Sequence, residues 1–306
     1  MPVLPFVTLD VFTQERYKGN PLGLVQVPVG KAITDEQMQT IAREFNLSET
    51  IFIRQRQDGT DGVSEWRVRI FLTNAEVPFA GHPTIGAVVY ALGTLAGGAS
   101  RGRLLANAGP IEVDFANGVA TASIPHNVHI HTQYRFTVDQ VHGLQPALKG
   151  PLRSEDAIAV VSPVKGMNFV TVELPDLESL AKVTSSAKPA PKLDEADGWN
   201  VGFSGSYFYV VAEPGLDTSH VKLQARMIEG SFEDPATGSA ACALACYLAL
   251  KRAQHRTITF EITQGLEMGR KSEIGVTVTL MENLKSVEKV ELSGSAVKVM
   301  EGQIEV

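Results

Sequence analysis

VPFAGHP (residues 77–83) and DPATGSA (residues 234–240) are the two stretches on which the fold turns. Laid over each other, Pro78 meets Pro235 and Gly81 meets Gly238, both 157 residues apart. Each block opens into an apolar run, 85–92 in the first and 239–250 in the second. At the same offset Tyr90 meets Tyr247, and Gly109 of NAGPIEV meets Gly265 of TQGLEM 156 residues on. Four matches in register point to a duplicated domain, and a period this long is not that of a solenoid. Each half reads as strand, turn, Gly-centred helix start, central helix and Gly-marked strand. A chain of 306 residues is long enough for two such domains. Their expected limits are 1–127 and 128–285, with the strands of 286–306 returning to the first half.

Local patterning fills in the detail. Residues 6–12 read as a strand, Lys18-Gly19-Asn20-Pro21 as a turn, and 24–27 as a second strand. Thr34 and Gln37 form a capping box ahead of Met38, Ile41, Ala42 and Phe45, which repeat at helical spacing. That helix ends near Asn46, and the polar loop Ser48-Glu49-Thr50 leads into Ile51-Phe52-Ile53. Trp66, Val68, Ile70 and Leu72 alternate with Glu65, Arg67 and Arg69, the pattern of a half-buried strand. Short apolar runs at 276–280, 290–292, 297–299 and 304–306 make the tail strand-rich. SSAKPAPKLDEADG (185–198) is polar and Pro-rich and reads as a surface loop.

Composition excludes several function classes. Asp and Glu number 34 against 27 Lys and Arg, a net charge of −7 without a basic block. Such a chain is poorly suited to nucleic acid or an anionic membrane surface. The longest apolar run, 239–250, falls short of the roughly 18 residues that a membrane span requires. MPVLPFVTLD lacks the basic start of a signal peptide, and two cysteines cannot build a disulfide framework. The expectation is a cytoplasmic protein whose partner is a small-molecule substrate, with neither nucleic acid nor membrane involved. No P-loop, no GxGxxG after a strand and no GxSxG elbow is present, so nucleotide cofactors and hydrolase chemistry have no support.

Duplicated domains leave a cleft where small molecules bind. Both repeated turns set Gly before a helix, whose unpaired N–H groups and positive dipole end attract an anion. Pro83 suits the first helical position, and Thr237 and Ser239 add hydroxyl donors beside Gly238. Taken alone, such turns are usually only caps, Asp234 before Pro235 is a turn initiator, and Glu233 beside it is a solvated neighbour. Glu49 in a polar loop reads as solvated and His82 as a turn residue. His126, His129 and His131 match no defined zinc spacing, so no metal is expected. Cys242 and Cys246 read as buried small residues of the second apolar helix. Phe52, Phe71 and Phe79 read as core.

EFNLSETIFI (44–53), EVPFAGHPTIGA (76–87), and EDPATGSAACAL (233–244) followed by QGLEMGR (264–270) resemble the phenazine-biosynthesis PhzF-like family, in the same order and over nearly the whole chain. The resemblance implies an α+β fold shared with diaminopimelate epimerase. Two pseudo-symmetric domains would each wrap a curved, barrel-like sheet around one central helix. It also implies a homodimer, no cofactor, and a proton-transfer site between the domains. Carried over residue by residue, the acid/base glutamate is Glu49, and the assisting residues are His82 and Asp234. Gly81, Pro83, Thr237, Gly238 and Ser239 would hold the substrate. Epimerases of this fold use a cysteine on each turn, and neither turn has one here. GRKS (269–272) and GNPLGLV (19–25) depart from the family wordings GRPS and GNPAAV, which puts the identity of the substrate in doubt.

A carboxylate in a closed apolar cleft has a raised pKa, so it can take a proton and return it near neutral pH. The expectation is isomerisation of a dihydro-hydroxyanthranilate-like metabolite by Glu49. The alternatives are an amino-acid racemase or epimerase without thiols, and a non-catalytic protein that binds small anions.

Overall fold

The computed structural model describes residues 3–132, 135–186, 198–199, 203–213 and 218–306. In chain order it contains β1 (Val3–Val11), β2 (Asn20–Val27), α1 (Asp35–Phe45), β3 (Thr50–Arg54), β4 (Gln57–Asp58), β5 (Ser64–Phe71) and β6 (Glu76–Val77). Next come α2 (Gly81–Val88), β7 (Arg101–Ala106), β8 (Gly109–Ala116) and β9 (Val119–Ser123). After these lie β10 (His129–Ile130), α3 (Val138–Leu144), β11 (Ile158–Ser162), β12 (Met167–Glu173), α4 (Leu177–Ala181), β13 (Phe203–Glu213), β14 (His220–Glu229) and β15 (Phe232–Asp234). The last elements are α5 (Gly238–Arg252), β16 (Thr257–Gln264), β17 (Ser272–Leu280), β18 (Val287–Gly294) and β19 (Ala296–Glu305). Two compact units result, Met1–Ile124 with Leu292–Val306, and Pro125–Glu291. Most of the Pro-rich loop read at 185–198 lies outside the described residues.

In the first unit the strands run β19-β1-β2-β3-β5-β7-β8-β9 across the sheet, with β2–β3 and β5–β7 parallel and the other neighbours antiparallel. The second unit repeats the scheme as β10-β11-β12-β13-β14-β16-β17, with β12–β13 and β14–β16 parallel. The duplication holds at the level of register. Ile70 faces Val77 and Phe71 faces Glu76 in the β5–β6 hairpin; 157 residues on, Met227 faces Asp234 and Ile228 faces Glu233 in β14–β15.

Each sheet closes around one helix. α2 touches β1, β2 and β3 on one flank and β8 and β9 on the other, and all eight of its residues are buried. α5 touches β11 and β12 as well as β16 and β17. A helix enclosed by a sheet cannot be amphipathic, and the run Ala240 to Ala249 accordingly carries small or apolar residues on every face. Small residues also bring helix and strands close. A Cβ added to Gly86 would stand 2.5 Å from a methyl carbon of Leu22 and 3.0 Å from one of Val11. The first central helix continues past Val88 as a π-helix, Val89–Leu95, a wider winding than the sequence suggests.

The capping box at Thr34 is present, with both reciprocal bonds to Gln37 formed. The stripe behind it (Met38, Ile41, Ala42, Phe45) packs on the outer face of the sheet with Val25, Phe52 and Phe71. No helix among the described residues is long and apolar enough to cross a membrane. Gly86→Val is expected to destabilise the protein by about 1–3 kcal/mol, because the added methyls meet packed strand side chains. A lower urea midpoint with an unchanged slope checks this.

Candidate functional site

Glu49 and His82 meet because of strand pairing. Asn46 ends α1 in the left-handed conformation (φ 50°), which turns the chain back toward the sheet. Thr50, the first residue of β3, then pairs with Gly23 on one side and Phe71 on the other. Phe71 lies at the end of β5, and the β5–β6 hairpin leads straight into α2. Glu49 therefore lies beside the start of the central helix. Its Oε2 stands 3.8 Å from Nδ1 of His82, and the two side chains are 17% and 5% exposed. Burial pushes the Glu49 carboxyl above its ordinary pKa, against a smaller opposing effect of a hydrogen bond from the Ser48 side chain. The solvated glutamate expected of a polar loop is instead a buried one facing a histidine.

α2 begins two residues earlier than expected. Ala80 is the cap, Gly81 and His82 are the first two helical residues, and Pro83 is the third rather than the first. Proline is still tolerated there, since the first N–H groups of a helix have no intrahelical acceptor.

Asp234, Thr237, Gly238 and Ser239 occupy the corresponding turn of the second unit. Thr237 caps α5 by position, yet its hydroxyl makes no capping bond to the helix backbone. It donates instead to Asp234 Oδ2 at 2.6 Å. Gln264, at the end of β16, donates to the Asp234 carbonyl (2.7 Å) and to Thr237 Oγ1 (3.1 Å). Its Oε1 accepts from the Thr237 N–H (3.3 Å) and the Tyr207 hydroxyl (3.0 Å). Gly265 follows with φ +75°, and a Cβ there would stand 2.7 Å from the Pro235 carbonyl oxygen, so only glycine lets the strand end so near the turn.

The two turns share a brace that sequence patterning missed. Arg69 grips Glu76 through two nitrogens (2.7 and 2.6 Å), and Arg226 grips Glu233 in the same way (2.8 Å twice). The pairs are again 157 residues apart (69 to 226, 76 to 233). Arg226 also donates to the carbonyls of Leu180, Ala181 and Val183 at the end of α4, and is only 7% exposed. Glu233 is thus not a solvated neighbour of Asp234 but half of a buried ion pair. The available signal was the offset itself, had it been carried back to charged residues.

The equivalence of the units ends at their chemistry. Ile51 faces Ile70 in β3–β5, and Tyr207 faces Met227 in β13–β14. By that register the place of Glu49 is taken in the second unit by Gly205, and that of His82 by Ser239. The other histidines are engaged elsewhere: His131 Nε2 with Ser162 Oγ (2.9 Å), His129 stacked on Trp199, and His126 Nε2 with the Glu288 carbonyl (3.3 Å). Among the described residues no group of three or more His, Cys, Asp and Glu is placed to hold a metal. Cys242 and Cys246 are buried thiols on α5, and burial pushes Cys242 up to about 12.

The family model described as phenazine biosynthesis-like protein matches residues 9–302. The chain belongs to that family. An uncharacterized isomerase of Mesorhizobium japonicum is 33% identical, with 98% of each chain covered. The trans-2,3-dihydro-3-hydroxyanthranilate isomerase of Pseudomonas fluorescens is 29% identical, again over 98% of each. Among solved structures, a PhzF-family phenazine biosynthesis protein of Bacillus anthracis superposes with a TM-score of 0.73 at 19% identity, with all of both chains covered. Membership in this family makes the protein an isomerase of α+β fold.

Arg226→Met should destabilise the second unit by about 3–5 kcal/mol, because Glu233 is left as an unpaired buried charge. Loss of the exposed Lys182–Glu178 pair serves as the control and should leave the urea midpoint unmoved.

Proposed function

We propose that this chain is a cofactor-independent isomerase acting on a small cyclic metabolite that bears amino and carboxyl groups, a dihydro-hydroxyanthranilate or a close relative, with Glu49 as the acid/base. The observation that carries this reading is the burial of Glu49 beside His82, with its pKa raised. In the ionised form Glu49 takes a proton from one ring carbon. The electron pair delocalises through the adjoining double bond, and the protonated carboxyl returns the proton to the far end of that system. One C–H bond breaks and another forms, with no net oxidation or reduction. One group can do both steps only if both its protonation states are accessible, which a carboxyl of raised pKa supplies.

His82 polarises the substrate or steadies the charge that develops on it, and Asp234 anchors a cationic amino group. The N–H groups at Gly81 and Gly238, with the hydroxyls of Thr237 and Ser239, hold anionic oxygens at the helix starts. Pro83 completes the first of these turns. The same reading makes the protein a cytoplasmic homodimer. The relative from Pseudomonas fluorescens supports the substrate class, and the lack of a cysteine on either turn supports a carboxylate over a thiol pair.

Incubation with trans-2,3-dihydro-3-hydroxyanthranilate in D₂O, followed by NMR, tests this. Wild type should isomerise it and deposit solvent deuterium at one carbon, and Glu49→Gln should lower turnover by about 10²–10⁴-fold. Equal rates in the two proteins would remove Glu49 from the mechanism, and no reaction in either would exclude the substrate.

The raised pKa also has a stability signature. Between the unfolded value near 4.5 and the higher folded value, the native state holds more protons than the unfolded one. This contribution is therefore full below about pH 4.5 and is lost as pH rises through the folded pKa. Glu49→Gln mimics the protonated form. It should match wild-type thermal stability at low pH, exceed it increasingly as pH rises from about 4.5 to the folded pKa, and hold a constant advantage above that.

A further inference from the structure

The four hydrogen bonds of Gln264 dictate one another. The Thr237 N–H can only donate to it, so it must meet Oε1, and the Tyr207 hydroxyl, able to donate or accept, then donates to the same oxygen. The Asp234 carbonyl can only accept, so it must meet Nε2. The amide thus has a single satisfactory orientation, and the remaining Nε2 proton points at Thr237 Oγ1, 3.1 Å away. A threonine hydroxyl has one proton. With its oxygen already accepting from Gln264, that proton is left for Asp234 Oδ2, at 2.6 Å. Gln264 is wholly buried, and Thr237 is 8% exposed.

We propose that Gln264 is a positioning residue, which, by orienting the Thr237 hydroxyl, holds the Asp234 carboxylate ionised and in one orientation. The proposal builds on the role given to Asp234 above. The hydroxyl donates to a charged acceptor, a bond about twice as strong as one between neutral groups. Gln264 reaches the Asp234 carboxylate through the Thr237 hydroxyl, to which it donates. Other charged and titratable groups on the elements around this turn include Tyr207 on β13, Arg226 and Glu229 on β14, Glu233 on β15, Cys242 and Cys246 on α5, and Glu267, Arg270 and Lys271 beyond β16. The Thr237 hydroxyl lies between Gln264 and the Asp234 carboxylate, bonded to both.

The test is the titration of Asp234 in the protein without substrate, followed by NMR of ¹³C-labelled aspartate carboxyls and assigned by the signal lost in Asp234→Asn. A donor to a carboxylate favours its ionised form, so loss of that donor raises the midpoint. Gln264→Met should raise it. Gln264→Glu, which fills the same volume but draws the Thr237 proton to itself and adds a like charge, should raise it further, by on the order of one unit or more. Thr237→Val should also raise it, whereas Thr237→Ser, which keeps the hydroxyl, should restore the wild-type value. If Gln264 acts through this hydroxyl, Gln264→Met adds nothing in the Thr237→Val background.

An unmoved midpoint in both Gln264 variants, or a full further shift in that background, would overturn the proposal. Because the titration needs no substrate, a wild type inert toward the dihydro-hydroxyanthranilate would sink the isomerase substrate and leave this result readable. In an active enzyme, kcat of Gln264→Met should fall about tenfold while KM moves less than about threefold. An unchanged kcat would show the orientation to be structural only.

Discussion

A helix buried on every side constrains everything that enters or leaves it. α2 has no solvent face, so the chain reaches it by one short hairpin at the end of the sheet, and its first N–H groups emerge at that end. α5 is entered in the same way from β15. The position of each hairpin decides where the functional side chains lie. An arginine–glutamate pair holds each hairpin, partly exposed in the first unit and buried in the second, where the same arginine also satisfies the end of α4. Such pairs rarely add much net stability, but breaking one is costly, which makes them good at holding a single geometry.

The same framework carries different chemistry in its two copies. In the first, the residue before β3 is a glutamate, and the second helical residue is a histidine. In the second, those places hold glycine and serine, and the charge has moved to Asp234 on the hairpin itself. A symmetric pair of bases, as racemisation through two equivalent groups demands, is not what the duplicated register contains. One buried carboxyl of raised pKa suits a reaction in which a proton leaves and returns through the same group.

Thr237 shows how a local rule yields to a tertiary partner. Its type and position announce a helix cap, and it does sit at the cap of α5. Gln264, 27 residues later, turns its hydroxyl from the helix backbone to Asp234. Glu233 departs from the local reading for the same reason. An exposed-looking glutamate beside a turn is buried because an arginine on the neighbouring strand reaches it.

The duplication, the strand–turn–helix order, the capping box at Thr34 and the apolar central helices were legible in the sequence, because each rests on local spacing or on a repeat read by counting. The family motifs named Glu49, His82 and Asp234 as candidates by type and order. Their surroundings were not legible. The approach of Glu49 to His82 and the Gln264 network join residues 27 or more positions apart in the chain, and the two arginine–glutamate braces, only seven apart, form across antiparallel hairpins whose pairing no local pattern encodes. Sequence by itself determined which elements form and which groups are available for chemistry. Tertiary structure alone decided which of those groups lose water, since desolvation depends on what the sheet folds over them.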